Sequence, residues 1–397
     1  MISKSRRIRS TTAISSLIVA LLASAGMLTS PASAVSAPVD AASSLKFGDA
    51  TSKRAVVVIE GGGSSHPFTT PWDACDGGRI PYVQALVDAK LPVFTAPGYT
   101  NHAESTWGLT GCPLQPPVEL QWNTSAYPTQ AAQSVLGFLG YLRATYGYQT
   151  FDLVGYSYGG VISRATIAEL KKTPKSGKYL PAFSYAQQAV DAGVKIPTLI
   201  TLNTPHLGGP AYDIANNPAK YLVPVTQGWG RQIANAGTGL RYFLDTDDAG
   251  DIQFLTTAPH AKQNPKSWDA KQVGVLDDVA LTLIAGDYCA ETCGTSSSPA
   301  KTMNVPRTDG TVPVYSQLML PCPSACPVVP GSVFIPKGLV PDSVVRKTFP
   351  VVHSLWDTWR NGLPNILSVA NNPASIKYLV TTVTSQWQKA GVPLLAS

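Results

Sequence analysis

The chemistry-bearing residues of this chain centre on Gly155-Tyr156-Ser157-Tyr158-Gly159, a G-x-S-x-G pattern. It lies between an apolar run, Phe151–Val154, and a stretch of helical spacing that places Val161, Ala165 and Ala168 on one face. A turn that sharp leaves no room for side chains beside the serine, so glycines flank it and the hydroxyl stands exposed above a sheet. The Tyr158 amide then sits at a helix start, aimed where an acyl oxyanion would form. Such a serine is a nucleophile only if the chain also supplies a base, a carboxylate to hold that base, and a second oxyanion donor.

The candidates for those parts are few. His353 is the last histidine, behind the apolar approach Val351-Val352 and ahead of LWDTWR, which can start a helix. Two other histidines compete. His66 precedes Pro67 in a loop better suited to holding the oxyanion. His206 follows a strand at the side where sites form, but a strand–serine–helix architecture keeps its histidine last in chain order. For the acid, Asp287 directly follows a strand, whereas Asp309 opens Asp-Gly-x-Val-Pro, a tight turn that can fold a carboxylate back onto an imidazole. Asp309 is the favoured acid. The second donor belongs in Gly61-Gly62-Gly63, directly after the strand Ala55–Ile59, with the Gly62 amide first and Gly63 next. That loop lacks the lysine-serine/threonine ending of a phosphate loop, and no G-x-G-x-x-G opens a helix there.

The elements that must position these residues alternate in type. β-branched or apolar runs at Ala55–Ile59, Pro92–Ala96, Phe151–Val154, Ile196–Leu202 and Val279–Ala285 read as buried strands of a parallel sheet. Helices are expected at Ile80–Ala89, with Pro81 in its first turn, at Thr129–Tyr146, after the serine, and at Ala374–Lys389. Lys171–Val190 reads as an excursion broken by proline and glycine. The segment of about 210–272 carries Tyr212, Trp229, Tyr242, Phe243, Phe254 and Trp268 among turn residues, and is expected to form a cap over the site that suits an apolar substrate. Residues 38–397 are expected to be one α/β domain.

Residues 1–37 are set apart. Lys4, Arg6, Arg7 and Arg9 precede an apolar segment from about Ala13 to Leu28 and two small-residue sites. This is the layout of a secretory signal peptide cut after Ala34 or Ala37, with Arg6-Arg7 also compatible with twin-arginine export. The apolar segment is short for a membrane span. The whole chain has 30 basic and 24 acidic residues, but losing the first 37 leaves 26 against 24, a net +2. No basic run interleaved with aromatics follows, so a nucleic-acid partner is not expected. Six cysteines in an exported chain point to disulfides among Cys75, Cys112, Cys289, Cys293, Cys322 and Cys326. Local closure would pair them in that order, and a zinc site from the last four is the competing arrangement.

Taken together, the oxyanion loop after AVVVI, the elbow GYSYG, the segment TPHLG, the Asp309-Gly-x-Val-Pro turn and the late His353 resemble the secreted bacterial lipases and carboxylesterases of the α/β-hydrolase superfamily. The resemblance covers about residues 55 to 360. EGGGSSHPF in the first loop also resembles certain fungal lipases with an open pocket. It implies an α/β-hydrolase fold, a mostly parallel sheet flanked by helices with an inserted cap-like region. It further implies Ser157 as nucleophile, Asp309 as acid, His353 as base, and Gly62 with Tyr158 as oxyanion amides. The implied activity is serine-dependent hydrolysis of apolar acyl esters outside the cell, without cofactor or metal. The implied partners are a small-molecule or lipid ester and transient contact with a lipid interface. An amidase, peptidase or acyltransferase would use the same residues, and a non-catalytic binding protein could keep the same fold. The chain departs from many relatives in having Glu60 before the glycines and Tyr156 inside the elbow, where a histidine is frequent.

Overall fold

The structure is a computed structural model that describes residues 53–394, except 64, 76–77, 100–111, 113–114, 173–183, 218–253, 257–259, 261–266, 289–306, 322–334 and 361. In chain order its principal elements are β1 (Arg54–Ile59), α1 (Pro81–Asp88), β2 (Val93–Thr95), β3 (Gly98–Tyr99), β4 (Trp122–Asn123), α2 (Pro128–Tyr146), β5 (Thr150–Tyr156) and α3 (Tyr158–Lys171). These are followed by α4 (Ser184–Asp191), β6 (Lys195–Leu202), α5 (Pro210–Asn216), β7 (Ala280–Gly286), α6 (Val314–Gln317), β8 (Val345–Phe349), α7 (Leu355–Arg360) and α8 (Pro373–Lys389).

The main sheet has the order β2-β1-β5-β6-β7-β8, and every neighbouring pair in it runs parallel. Its inner strands are β-branched and leucine-rich because both faces are covered. The pleat sends alternate residues to opposite sides. Ala55, Val57 and Ile59 of β1 join the core made with α2, α3 and α4. Val56 and Val58 join the other core, with Tyr82, Val83 and Leu86 of α1 and Leu379, Val383 and Trp387 of α8. The α/β-hydrolase architecture expected from the sequence is therefore present, a parallel sheet with helices on both faces.

Strand order decides where a site can form. From β1 the chain moves outward to β2, then returns to place β5 on the opposite side of β1. The loops leaving β1 and β5 thus meet at the reversal point, where open α/β sheets place their sites, at the carboxyl ends of the strands. Gly61–Gly63 and Ser157 leave from there.

A buried polar cluster fastens the other end of the same strands. Arg54 donates to Asp152 through Nε (2.8 Å) and Nη2 (2.7 Å), and the Trp387 indole donates to the same carboxylate at 2.6 Å. A charge-assisted fork of this kind is directional as well as strong. It pins α8 against β1 and β5.

Two elements differ from the sequence expectation. The excursion assigned to Lys171–Val190 contains α4, whose Ala186 and Ala189 are fully buried. Its periodicity rests on alanines, which a pattern of large apolar residues overlooks. The strand β8, which pairs with β7, was not among those read from the sequence. Val345, Arg346 and Lys347 are exposed, as suits an edge strand whose charges discourage further pairing.

Candidate active site

Ser157 sits between β5 and α3 with φ 51° and ψ −127°, a conformation that non-glycine residues rarely adopt. Surrounding bonds hold it there. Its N–H donates to Leu202 O (2.8 Å), and its carbonyl accepts from Gly160 N (3.1 Å). The flanking glycines are required by space. A Cβ on Gly155 would lie 2.4 Å from Gly160 Cα, and one on Gly159 would lie 2.1 Å from Ile59 O. Strand, bend and helix can meet only without side chains at these two positions.

Ser157 Oγ lies 2.8 Å from His353 Nε2, and His353 Nδ1 lies 2.7 Å from Asp309 Oδ2. Although 44 residues separate the aspartate from the histidine, their loops are coupled at the backbone, His353 N–H donating to Asp309 O at 3.0 Å. The other carboxylate oxygen, Oδ1, accepts from the amides of Thr311 (2.9 Å) and Val312 (2.6 Å). In the Asp-Gly-x-Val-Pro turn Gly310 takes φ +98°, and the chain folds back to tie the carboxylate in place. Asp309 is fully buried and His353 nearly so.

Electrostatics favour a chargeable imidazole. Burial alone would depress the His353 pKa. The Asp309 charge and hydrogen bond, with Asp357 adding to them, outweigh that and hold it above the ordinary histidine value. A ring of this kind accepts a proton from a serine hydroxyl and is stabilised once charged. Asp287 has no part in this. It pairs with Arg307, and its amide donates to Phe349 O.

Three residues around this relay were given no role from the sequence. Tyr156 Oη donates to His353 O at 2.8 Å, so the elbow's inner residue steadies the histidine loop. Asp357, on the first turn of α7, accepts from Ser354 Oγ (2.5 Å) and Thr311 Oγ1 (3.3 Å), joining the histidine loop to the acid turn. Burial raises the Asp357 pKa, the nearby His353 opposing it. Glu60, before the glycines, is buried; its pKa is pushed up to about 7 by burial, with Tyr82 beside it pulling the other way.

The glycine loop lies across the elbow. A Cβ on Gly61 would stand 3.2 Å from Ser157 Cβ, and one on Gly62 would stand 3.2 Å from Tyr158 Cβ. Gly63 N–H donates to Thr124 O at 3.4 Å, whereas among the described residues no hydrogen bond engages the Gly62 N–H. Gly62 is thus the freer donor of the two, beside the first residue of α3. His66 does not reach the serine, and its Nε2 meets Gly61 O at 2.9 Å.

His206 is buried and structural. Its Nε2 meets Thr201 Oγ1 (3.1 Å), and its carbonyl accepts from Arg164 Nη1 (3.3 Å). Burial first, and then the Arg164 charge, hold its pKa well below the ordinary value. Arg164 also donates to Asp269 Oδ1 (2.9 Å), lies under the Trp268 ring at 4.5 Å, and meets through Asp269 the ring of His260 (2.5 Å). This cluster binds α3 to the segment expected to form the cap. Tyr212, Phe254 and Trp268 are buried in the main core, so these three aromatics serve packing; Trp229, Tyr242 and Phe243 lie outside the described residues.

Cys75 and Cys112 form a disulfide, as local closure predicts. Cys289, Cys293, Cys322 and Cys326 lie outside the described residues, as does the leader expected at 1–37. Among the described residues, no group of three or more His, Cys, Asp or Glu is arranged to hold a metal ion, and no helix is long and apolar enough to cross a membrane.

This fold and this site define a serine hydrolase of the α/β-hydrolase class. Residues 129–262 match a family profile described as "Putative serine esterase (DUF676)", a span that holds α2, Ser157 and His206 but neither Asp309 nor His353. The match supports ester hydrolysis within that class. No curated protein sequence matches the chain. Among solved structures, the mature form of Bacillus licheniformis lipase BlEst2 is 13% identical with TM-score 0.39, covering 82% of this chain and 91% of its own. Lipase 1 from Pelosinus fermentans is 13% identical with TM-score 0.43, covering 83% and 98%. Brefeldin A esterase, described as a bacterial homologue of human hormone sensitive lipase, is 12% identical with TM-score 0.37, covering 84% and 67%. At these values the likenesses carry no chemistry to this chain.

Proposed function

We propose that the chain is an exported carboxylic-ester hydrolase of lipase type acting on apolar acyl esters, with Ser157 as nucleophile, His353 as general base and acid, and Asp309 as the orienting carboxylate. The observation that carries this is the relay itself, 2.8 Å from serine to imidazole and 2.7 Å from imidazole to carboxylate. Ser157 Oγ attacks the ester carbonyl while its proton passes to His353 Nε2. The negative oxygen of the tetrahedral intermediate accepts from the amides of Gly62 and Tyr158. The intermediate collapses as His353 gives its proton to the departing alcohol, leaving an ester on Ser157. A water, deprotonated by the same imidazole, attacks that ester and regenerates the serine.

Asp309 holds the Nδ1–H tautomer of His353 and offsets the charge on the imidazolium. The preference for apolar acyl chains rests on the sequence of 210–272, where Trp229, Tyr242 and Phe243 remain once the three core aromatics are set aside, and export rests on the basic-apolar-small layout of 1–37. The test is a chain-length series of p-nitrophenyl esters and triglycerides on the purified mature protein, with p-nitroanilides and an added alcohol acceptor as parallel arms and Ser157→Ala as control. The expected result is ester turnover that rises with acyl length beyond acetate and vanishes in the control, together with stoichiometric labelling of Ser157 by a fluorophosphonate. Faster anilide cleavage, transfer to the alcohol in preference to water, or full turnover in the Ser157→Ala protein would overturn it.

A further inference from the structure

The glycine loop raises a question the relay does not answer: what fixes the direction of the Gly62 amide beside the elbow. A peptide unit is planar and trans, so the carbonyl of one residue and the N–H of the next point in opposite directions. The carbonyl antiparallel to the Gly62 N–H is Gly61 O, and the group seated on it is His66 Nε2, at 2.9 Å. A carbonyl oxygen only accepts, so His66 must carry its proton on Nε2 and donate it there.

His66 is in turn anchored outside the loop. Its N–H donates to Gly98 O (2.8 Å), its carbonyl accepts from Gly98 N (2.9 Å), and the next carbonyl, Pro67 O, accepts from Thr95 Oγ1 (2.8 Å). The backbone that carries the ring is therefore held by β3 and β2, while the peptide the ring meets joins two glycines, which have no side chain to fix its orientation. On the far side of the same loop, Gly63 N–H is occupied by Thr124 O.

We infer that His66 is a positioning residue for oxyanion stabilisation, fixing the Gly61–Gly62 peptide so that the Gly62 N–H stays presented to the developing charge on the substrate oxygen. This rests on the hydrolase reading above. Burial keeps the ring neutral, its pKa lowered to about 4, and a neutral imidazole with a single proton can hold one fixed tautomer through the working pH range. The side chain acts through the Gly61–Gly62 peptide. Its effect appears only where negative charge builds on oxygen, so it belongs to the transition state and not to ester binding.

The experiment compares wild type, His66→Ala and His66→Gln on one p-nitrophenyl ester. Each is also titrated with a fluorophosphonate and inhibited by a trifluoromethyl ketone, which forms an oxyanion on Ser157. For His66→Ala the expected result is a fall in kcat of about tenfold to a hundredfold, smaller than outright deletion of a donor because the amide remains. KM should stay within about threefold, ketone affinity should fall in step with kcat, and labelling should remain near one per chain. Glutamine, whose side-chain amide can donate to the same carbonyl, should recover most of the loss. The acid limb of the pH profile, which reports His353, should not move. Wild-type kcat and ketone affinity in a fully labelled His66→Ala protein would overturn the inference, and so would a glutamine variant no better than alanine. If the alanine variant does not fold, 15N spectra of the wild-type imidazoles decide: His66 as the Nε2–H tautomer from pH 6 to 9 supports the inference, and the Nδ1–H tautomer overturns it. A wild type that neither turns over esters nor takes the phosphonate would overturn the hydrolase reading first, in a way the His66 variants alone could not.

Discussion

Replacing Glu60 with glutamine should stabilise this protein, and only at higher pH. Glu60 is buried at the end of β1, and its carboxyl is pushed from 4.5 up to about 7, chiefly because burial penalises the charged form. Below pH 4.5 the carboxyl is protonated in both folded and unfolded chains and contributes no pH dependence. Between 4.5 and about 7 the unfolded chain ionises while the folded one does not, so stability falls as pH rises. Above about 7 the folded protein carries a buried charge, and the loss is complete. The difference between 4.5 and about 7, at about 1.4 kcal/mol per pH unit, comes to about 3–4 kcal/mol. Glutamine keeps the shape and cannot ionise.

The assay is equilibrium unfolding of wild type and Glu60→Gln in urea at pH 4, 5.5, 7 and 8.5, with the disulfide intact. Taking the difference between the two proteins at each pH cancels every group they share. The variant should gain about 3–4 kcal/mol on wild type between pH 4 and pH 8.5, most of it between about 5 and 7. A difference that stays flat, or one in which wild type gains with rising pH, would refute the account and show that Glu60 ionises with a partner that welcomes its charge.

Two further outcomes follow from buried carboxylates. In Asp357→Asn, removing a negative charge beside His353 should lower the imidazolium pKa, so the acid limb of kcat/KM moves down by roughly half a unit to one unit while the plateau rate falls; a limb that stays put or moves up counts against a role for Asp357. Asp152→Asn leaves Arg54 buried without its counter-charge and weakens the Trp387 bond, which should cost about 3–5 kcal/mol in urea unfolding. Because that cluster lies at the opposite ends of β1 and β5 from Ser157, kcat of the folded fraction should be unchanged, and a large kcat loss would show that the strands transmit the damage.

What was legible in the sequence shares one property: the structural demand falls on neighbouring residues. Gly155 and Gly159 are needed because the strand and helix beside Ser157 approach within contact, and that demand is written in adjacent positions. The acid could be chosen over Asp287 because its turn, Asp309-Gly310, satisfies its own carboxylate with the next amides, an arrangement readable over a few residues. The strands β1, β5, β6 and β7 announced themselves because both faces are apolar. β8 did not, since at the edge of the sheet its first three residues, Val345, Arg346 and Lys347, are exposed and leave no apolar run to read.

The groups that escaped reading are polar ones whose partners are remote. Arg54 meets Asp152 across 98 residues, Asp152 meets Trp387 across 235, and Arg164 meets Asp269 across 105. Each alone looks like an ordinary strand, helix or loop residue, because a charge is tolerable in the interior only once its partner arrives and nothing in the local pattern says which partner that is. Tyr156 and Asp357 were given no role for the same reason. They act on backbone carbonyls or hydroxyls of other loops, and their meaning lies in how three loops converge at the sheet's reversal point. The serine, histidine and aspartate name the chemistry; the residues that decide how well it is aimed exist as a set only in the folded chain.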